Sequence, residues 1–508
     1  MPDSEERRRP HSATRREFLK QSAMAVAAPG IAAGGLAASA GQTGRPQAAP
    51  RKKPNIVLYI ADQFRWDFVG ANGLNPVGVT PNLDAVAQRG VCMQNAVTCQ
   101  PVCAPSRSSL FTGQYATQTG VWKNGFGLRT DAVTLATLLG GNGYTTNYIG
   151  KWHLAPNSHS NPASHGYVPP EYRGGFKDLW QVSNELENTS HPYEGTIWDG
   201  DGKPMRFKDV YRVDYLTNLV VHFLRQRHTQ PFFLVVSQLE PHFQNDANAF
   251  IPPKEYEKTF QNAFVPKDLR FFPGDWQAQL AGYYGDIKRI DDSVGTILQT
   301  LKDEGTLDDT IFVFISDHGC HFRTRNQEYK RSPHESSIHI PLLMQGPGFD
   351  QSRRISEVVS MVDVAPTLLG SVGIEAPRTM SGRSAFPLVH SSAARREWRQ
   401  EAFVQISESM VGRALRTDKW TYCVVDPNGR GGRDPGSSRY QEHQMYNLAA
   451  DPHQLLNLAG RKDRPNLVHF DGDQPLPEVA AHLRERLIAR MVEAGETAPQ
   501  IDPARLYP

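Results

Sequence analysis

Short apolar runs alternate with amphipathic stretches along most of this chain. Ile56–Ile60, Thr146–Ile149, Phe232–Ser237, Ile311–Ser316 and Pro341–Met344 are rich in β-branched or aromatic residues, which predicts strands. Between them, Pro81–Arg89, Val133–Gly140, Tyr211–Gln226, Trp276–Glu304 and Val362–Val372 read as amphipathic helices. Near-continuous apolar strands alternating with helices predict an α/β fold: a large, mixed, mainly parallel sheet between helices. Most of the unusual polar clusters come just after one of the apolar runs. Open α/β sheets place ligand sites beyond the carboxyl ends of their strands, so these clusters should converge on one rim.

The character of the chain changes near Ser391. Leu415–Val425 reads as β-rich, Pro427–Ser438 as a Gly/Arg-rich loop, and Pro477–Ala494 as a helix. A smaller C-terminal α+β subdomain is expected there, a short antiparallel sheet with a packed helix. The organisation expected is therefore an export signal over 1–40, a linker over 41–53, a catalytic domain over 54–390 and a subdomain over 391–508.

Charge narrows the possible functions. Across 508 residues, 55 Lys and Arg nearly balance 53 Asp and Glu, so nothing points to a nucleic-acid partner. Much of the basic excess lies at the start, where Arg15-Arg16 and Phe18-Leu19-Lys20 precede a mild apolar run from Ala23 to Ala38. Ala38-Ser39-Ala40 then supplies a small-x-small cleavage pattern. This segment resembles a twin-arginine export signal, which implies the export machinery as a partner and the bacterial periplasm or beyond as destination. The five cysteines, Cys92, Cys99, Cys103, Cys320 and Cys423, are too few to form a disulfide framework.

Cys103 is the most informative of them. It lies in Pro101-Val102-Cys103-Ala104-Pro105-Ser106-Arg107-Ser108-Ser109-Leu110-Phe111-Thr112-Gly113, three residues before the start of a predicted helix. Cys-x-Pro-Ser-Arg followed by Leu-x-Thr-Gly resembles the signature of the type I sulfatases, members of the alkaline phosphatase-like superfamily. A second stretch, Gly143 to His153, is similar to that family's second signature with its Gly-Lys-x-His core. Thr80-Pro81-Asn82-Leu83-Asp84 and Asp363-Val364-Ala365-Pro366-Thr367 stand in family order as well.

The resemblance implies that Cys103 is oxidised by a formylglycine-generating or maturase enzyme, and that its hydrate attacks a sulfate ester. It implies one divalent cation held by Asp62, Gln63, Asp317, His318 and the modified Cys103. The family's usual second aspartate is Gln63 here, and its usual asparagine is His318. Calcium is the first expectation for the ion, with manganese or magnesium as the others. By the same resemblance Lys151 touches sulfate and formylglycine, His153 hydrogen-bonds the hydrate, and Arg107 with the metal lowers the hydrate's pKa. His242 and Lys330 meet the sulfate and the leaving oxygen, and His242 is the expected general acid because imidazole titrates near working pH.

Arg173–Asp199 is rich in aromatic and acidic residues, and Arg323 and Arg325 add cations beyond Asp317. Phe176, Leu179, Trp180 and Trp198 read equally as sugar-stacking surface or as core. The expected substrate is a sulfated carbohydrate or polysaccharide. The alternatives are a phosphonate or phosphate diester hydrolase of the same superfamily, which Gln63 and His318 resemble, and a non-catalytic sulfated-glycan-binding protein.

Overall fold

The computed structural model describes residues 53–157, 162–461 and 476–504. The expected export signal and nearly all of the linker lie outside the described residues. Among the described residues, no helix is long and apolar enough to cross a membrane.

Eleven strands among the described residues form one sheet. They are β1 (Asn55–Ala61), β2 (Val91–Val97), β3 (Thr145–Lys151), β4 (Trp180–Ser183), β5 (Ser190–His191) and β6 (Glu194–Trp198), followed by β7 (Pro204–Lys208), β8 (Phe232–Gln238), β9 (Thr310–Ser316), β10 (Leu342–Gln345) and β11 (Arg353–Ser360). Their spatial order is β11-β2-β10-β9-β1-β8-β3-β4-β6-β5, with β7 paired to β6. The central strands β9, β1, β8, β3 and β4 all run parallel. Antiparallel β10 joins them to β2, and β5–β7 form an antiparallel extension at the other edge.

Every residue of β1, β8 and β9 is buried, because helices cover both faces. Successive side chains of a strand point to opposite faces, and β1 shows the consequence. Ile56, Leu58 and Ile60 join one core with Leu110, Phe111 and Leu368. Val57, Tyr59 and Ala61 join the other, with Leu216, Val220, Ile287 and Val294. The long helix Trp276–Asp303 lies on that second face.

The expected strands and helices are present, trimmed or extended at their ends. Pro341 stays outside β10, consistent with its missing backbone donor. The sequence pattern missed β2, β11 and the β4–β7 extension. In β2 and β11 charged or amide side chains interrupt the apolar run. The helix bearing Cys103 also begins earlier than expected, at Cys103 itself. Pro105 is compatible with that start, because N–H groups in a first helical turn have no intrahelical partner.

The C-terminal sheet consists of β12 (Glu401–Ile406), β13 (Gly412–Thr417), β14 (Trp420–Val425), β15 (Arg439–Asn447) and β16 (Gln500–Asp502), in that order. It is antiparallel except for the last pair. Helix Leu476–Glu493 buries Leu483, Leu487 and Met491 in the same apolar cluster as Ile56 and Leu110 of the large sheet. One core therefore runs through both sheets.

One glycine fixes how closely two central strands approach. Gly150 has φ +112°, and a Cβ there would lie 1.9 Å from the Ser237 carbonyl oxygen of β8. Neither strand backbone can yield without breaking the ladder that ends at Gly150 and Ser237. Gly150→Ala is expected to destabilise the protein by at least about 2 kcal/mol. A lowered urea midpoint checks this, and an unchanged one would contradict it.

Candidate active site

Four adjacent parallel strands end on one rim and deliver the polar residues that follow them. Ala61 of β1 is level with Ser316 of β9, so Asp62 and Asp317 emerge side by side. Gly150 of β3 is level with Ser237 of β8, which brings Lys151 to the same rim, and His242 follows β8. Cys103 arrives from the covering helix as its first residue, where the partial positive charge of a helix N-terminus favours an anion.

Arg107 ties these pieces together. It is fully buried, and its guanidinium donates from Nε to Asp317 Oδ2 and from Nη2 to Asp62 Oδ2, both at 3.2 Å. Nη1 donates to the Lys151 carbonyl at 3.1 Å and to Ser237 Oγ at 2.8 Å. One planar fork thus binds the ends of β1, β3, β8 and β9, which a flexible ammonium could not do. Lys151 Nζ, also buried, donates to Asp62 Oδ2 at 2.7 Å and to Glu187 Oε1 at 2.8 Å. Burial and the Cys103 sulfur oppose the charge on Asp62, but Lys151, His242 and Lys330 hold its carboxyl well below the usual range. Asp317 is pushed the other way by burial and by its neighbour Asp62.

Asp62, Cys103, Asp317 and His318 each present a ligand atom, all within 4.8 Å of one another. The His318 ring is oriented by its Nδ1–H, which donates to the Gly319 carbonyl at 3.0 Å. Its bare Nε2 then faces Cys103 Sγ at 3.3 Å and lies 3.5 Å from Asp62 Oδ1. A backbone acceptor on the far nitrogen is how proteins fix a ligating imidazole. Two carboxylate oxygens and a bare imidazole nitrogen in one dry pocket suit a divalent cation.

Lys330 completes the surround. Its ammonium donates to Cys103 Sγ at 3.0 Å, His318 Nε2 at 3.1 Å and His242 Nε2 at 3.2 Å. His242 Nδ1–H donates to the Phe243 carbonyl at 2.7 Å, which turns Nε2 toward the pocket. Burial opposes ionisation of the Cys103 thiol, yet the Lys151 and Lys330 ammoniums bring it well below its ordinary value. The pocket is built to stabilise negative charge at residue 103. A cavity of about 280 Å³ opens over His242 and Lys330 to the surface.

The chain belongs to the sulfatase family. The sulfatase family model matches residues 54–374, and a model for the C-terminal region of N-sulphoglucosamine sulphohydrolase matches residues 327–470. An ulvan-active sulfatase of Formosa agariphila is 30% identical over 428 residues, covering 81% of this chain and 78% of that protein. An arylsulfatase of Clostridium perfringens is 27% identical, over 82% of this chain and 92% of its own. The crystal structure of yidJ from Bacteroides fragilis superposes with a TM-score of 0.74 at 24% identity, covering 89% of this chain and 98% of that one. The protein is accordingly a sulfuric ester hydrolase with the alkaline phosphatase-like fold.

The sulfatase brings all ten residues expected at its site to one rim, with differences of detail. Gln63, at φ +71°, lines the mouth of the cavity, and its side-chain amide donates to Cys320 Sγ at 3.3 Å. Its backbone N–H donates to Asp317 Oδ1 at 3.1 Å. Cys103 and the other four cysteines are free. Phe176 and Trp180 are core, packed with Tyr148 and Trp152, so they offer no sugar-stacking face. Arg323 lines the mouth, whereas Arg325 donates to the His453 and Gln454 carbonyls and lies over Phe272.

Two carboxylates of the sulfatase were not foreseen from its sequence. Glu185 and Glu187 flank His153, at 3.4 Å from Nε2 and 3.6 Å from Nδ1. Burial and Lys151 oppose a charge on that ring, but Glu187, Cys103 and Glu185 raise its pKa to about 9. No spacing marks these two acids in sequence, because the β4–β7 extension that carries them is irregular.

His321 supports the site from behind: its Nε2–H donates to the Lys330 carbonyl at 3.1 Å, while burial pushes its pKa down to about 3. Its neutral ring therefore favours folding fully above the unfolded value near 6.5, and that contribution fades as pH falls toward 3. Between pH 6.5 and 5 the loss is about 2 kcal/mol. Urea unfolding at both pH values should show His321→Gln losing less stability by that amount. An equal loss in both proteins would contradict the assignment.

Proposed function

We propose that this sulfatase hydrolyses sulfate esters on a carbohydrate, using formylglycine made from Cys103 and one divalent cation. The observation that carries the reading is the buried cluster of Asp62, Asp317, His318 and residue 103, enclosed by Lys151, Lys330 and His242. The ulvan-active sulfatase relative supports a carbohydrate substrate.

Formylglycine at position 103 would supply a geminal-diol nucleophile, and the cation would polarise sulfate oxygens beside it. The protein's own residues do the rest. Lys151 and Lys330 neutralise charge around the sulfur centre, in a pocket where water does not screen them. Arg107, with its donors committed to Asp62, Asp317 and the strand ends, holds the two metal carboxylates in place. His242, anchored through Nδ1, turns Nε2 toward the leaving oxygen, and once protonated there it would serve as the acid. His153, its pKa raised to about 9 between Glu185 and Glu187, is protonated at neutral pH and donates a hydrogen bond to residue 103. Imidazole is a poorer donor to calcium than to transition ions, so His318 favours manganese over the calcium expected from the family.

In this reading residues 54–390 carry the chemistry and 391–508 form the C-terminal subdomain. A maturase oxidises Cys103, and the twin-arginine segment takes the folded protein to the periplasm or beyond. The imidazole at the metal cluster favours one second reading, hydrolysis of phosphonate or phosphate esters. A phosphonate monoester hydrolase of Agrobacterium radiobacter shares the fold, with a TM-score of 0.63 at 22% identity.

Purified mature protein assayed on aryl sulfates, sulfated mono- and oligosaccharides and phosphonate and phosphate esters separates these readings. Turnover of sulfated sugars is expected, with Cys103→Ala inactive and an intact mass about 18 Da below that of the thiol form. Faster turnover of phosphonate esters would favour the second reading. An unoxidised Cys103 with glycan binding but no turnover would overturn both.

His242→Asn should slow sugar sulfates by about 100-fold or more and aryl sulfates far less, since a phenolate leaves without protonation. Equal losses on both substrates would contradict the acid role. Chelation should abolish activity, with manganese restoring it better than calcium.

A further inference from the structure

Two cavities meet at the loop after β8. The mouth over His242 and Lys330 includes Asn245 in its lining. A second groove, of about 650 Å³, shares Asn245 and runs along the β5–β7 extension. The ridge between them is a built feature. Gln244 N–H donates to the Ala249 carbonyl at 2.9 Å, and Gln244 Nε2 donates to Asp246 Oδ1 at 2.6 Å. Asp246 also pairs with His191 across the groove at 3.2 Å.

The inner end of the groove is Glu187, the residue that holds Lys151. Its side chain is 8% exposed, and its second oxygen, Oε2, has no hydrogen-bond partner among the described residues. Buried carboxylate oxygens are rarely left so, and this one marks a place for a donor such as a sugar hydroxyl. Along the walls Asn188, Thr189, Ser190 and Thr196 offer short polar groups.

The outer wall carries charge. Arg206 and Lys208 of β7 alternate with buried Phe207, whose ring stacks on Tyr215 with centroids 4.6 Å apart. Two residues apart on a strand, both cations stand on the same face. Both line the groove, and neither side chain makes an ion pair or hydrogen bond among the described residues, although Glu194 stands opposite Lys208 across the β6–β7 ladder. A groove of this size fits a sugar ring with room for a substituent. With Arg206 and Lys208 set against the single carboxylate Glu194, this wall can meet an anion.

We propose that this groove holds the sugar unit next to the one being desulfated, and that Arg206 and Lys208 recognise an anionic substituent, carboxylate or sulfate, on it. The proposal rests on the carbohydrate sulfatase reading and deepens it. The sulfatase then prefers a charged oligosaccharide to a lone sulfated sugar or an aryl sulfate, which fills only the mouth.

The test uses the full, oxidised protein with three probes: 4-nitrocatechol sulfate, a sulfated monosaccharide, and whichever charged oligosaccharide the substrate panel shows to be cleaved fastest. In the double variant Arg206→Ala/Lys208→Ala, kcat/KM on the oligosaccharide is expected to fall about tenfold or more through KM, with the aryl sulfate unchanged within about twofold. The exchange Arg206→Lys/Lys208→Arg keeps most of the oligosaccharide activity, and added salt narrows the wild-type preference. Equal losses on all probes, or no loss on the oligosaccharide, overturns the proposal. So does a wild-type enzyme that cleaves the small sulfates as efficiently as any oligosaccharide. A wild type inactive on every sulfate ester sinks the sulfatase reading beneath it, which the small probes reveal independently of the groove.

Discussion

Two carboxylates and one guanidinium, all without solvent contact, decide the rest of this structure. Asp62 and Asp317 leave neighbouring parallel strands at the same level, close enough to repel each other. Taking such charges out of water is costly unless they are paired and hydrogen-bonded. Arg107 answers both at once and adds the Lys151 carbonyl and Ser237. Its position four residues into the helix that begins at Cys103 fixes where that residue must sit. The same fork that makes the buried charges tolerable therefore aligns residue 103 with the two carboxylates.

The surrounding groups are arranged around charge rather than around shape. Lys151 and Lys330 approach residue 103 from opposite elements, and His318 and His242 each have their far nitrogen tied to a backbone carbonyl. Preorganisation of this kind lowers the reorganisation needed when negative charge develops. It is paired with local strain: Gln63, His153, Phe322, Arg323 and Arg331, all at or near the rim, have positive φ without being glycine. Such conformations persist where surrounding packing overdetermines them, and they gather at functional sites.

Much of this was legible in the sequence. The apolar runs gave away β1, β3, β8 and β9, and the polar clusters just after them gave away the rim. Cys103, Arg107, Lys151 and His153 were legible because their stretches resemble two sulfatase signatures, which spacing and residue type alone would not have singled out. Other parts were hidden for physical reasons. Glu185 and Glu187 act through a fold of the β4–β7 extension that has no regular periodicity, and β11 is interrupted by charged positions that defeat an alternation rule. The aromatics at Phe176 and Trp180 carry no signal that separates a core ring from a sugar platform; only their packing against Trp152 does. His321 lies just beyond Asp317-His318-Gly319, and its service to the Lys330 carbonyl depends on a loop closure that no local pattern records.

The account stands on the proposal that residues from two strand ends and one helix start grip a divalent ion. Anomalous diffraction from crystals of the oxidised protein, collected at the metal's absorption edge, tests that most directly. The account predicts a single strong peak coordinated by Asp62, Asp317, His318 and an oxygen of residue 103. A fully oxidised protein with no peak there, or with the ion bound elsewhere and Arg107 released from both carboxylates, would contradict it.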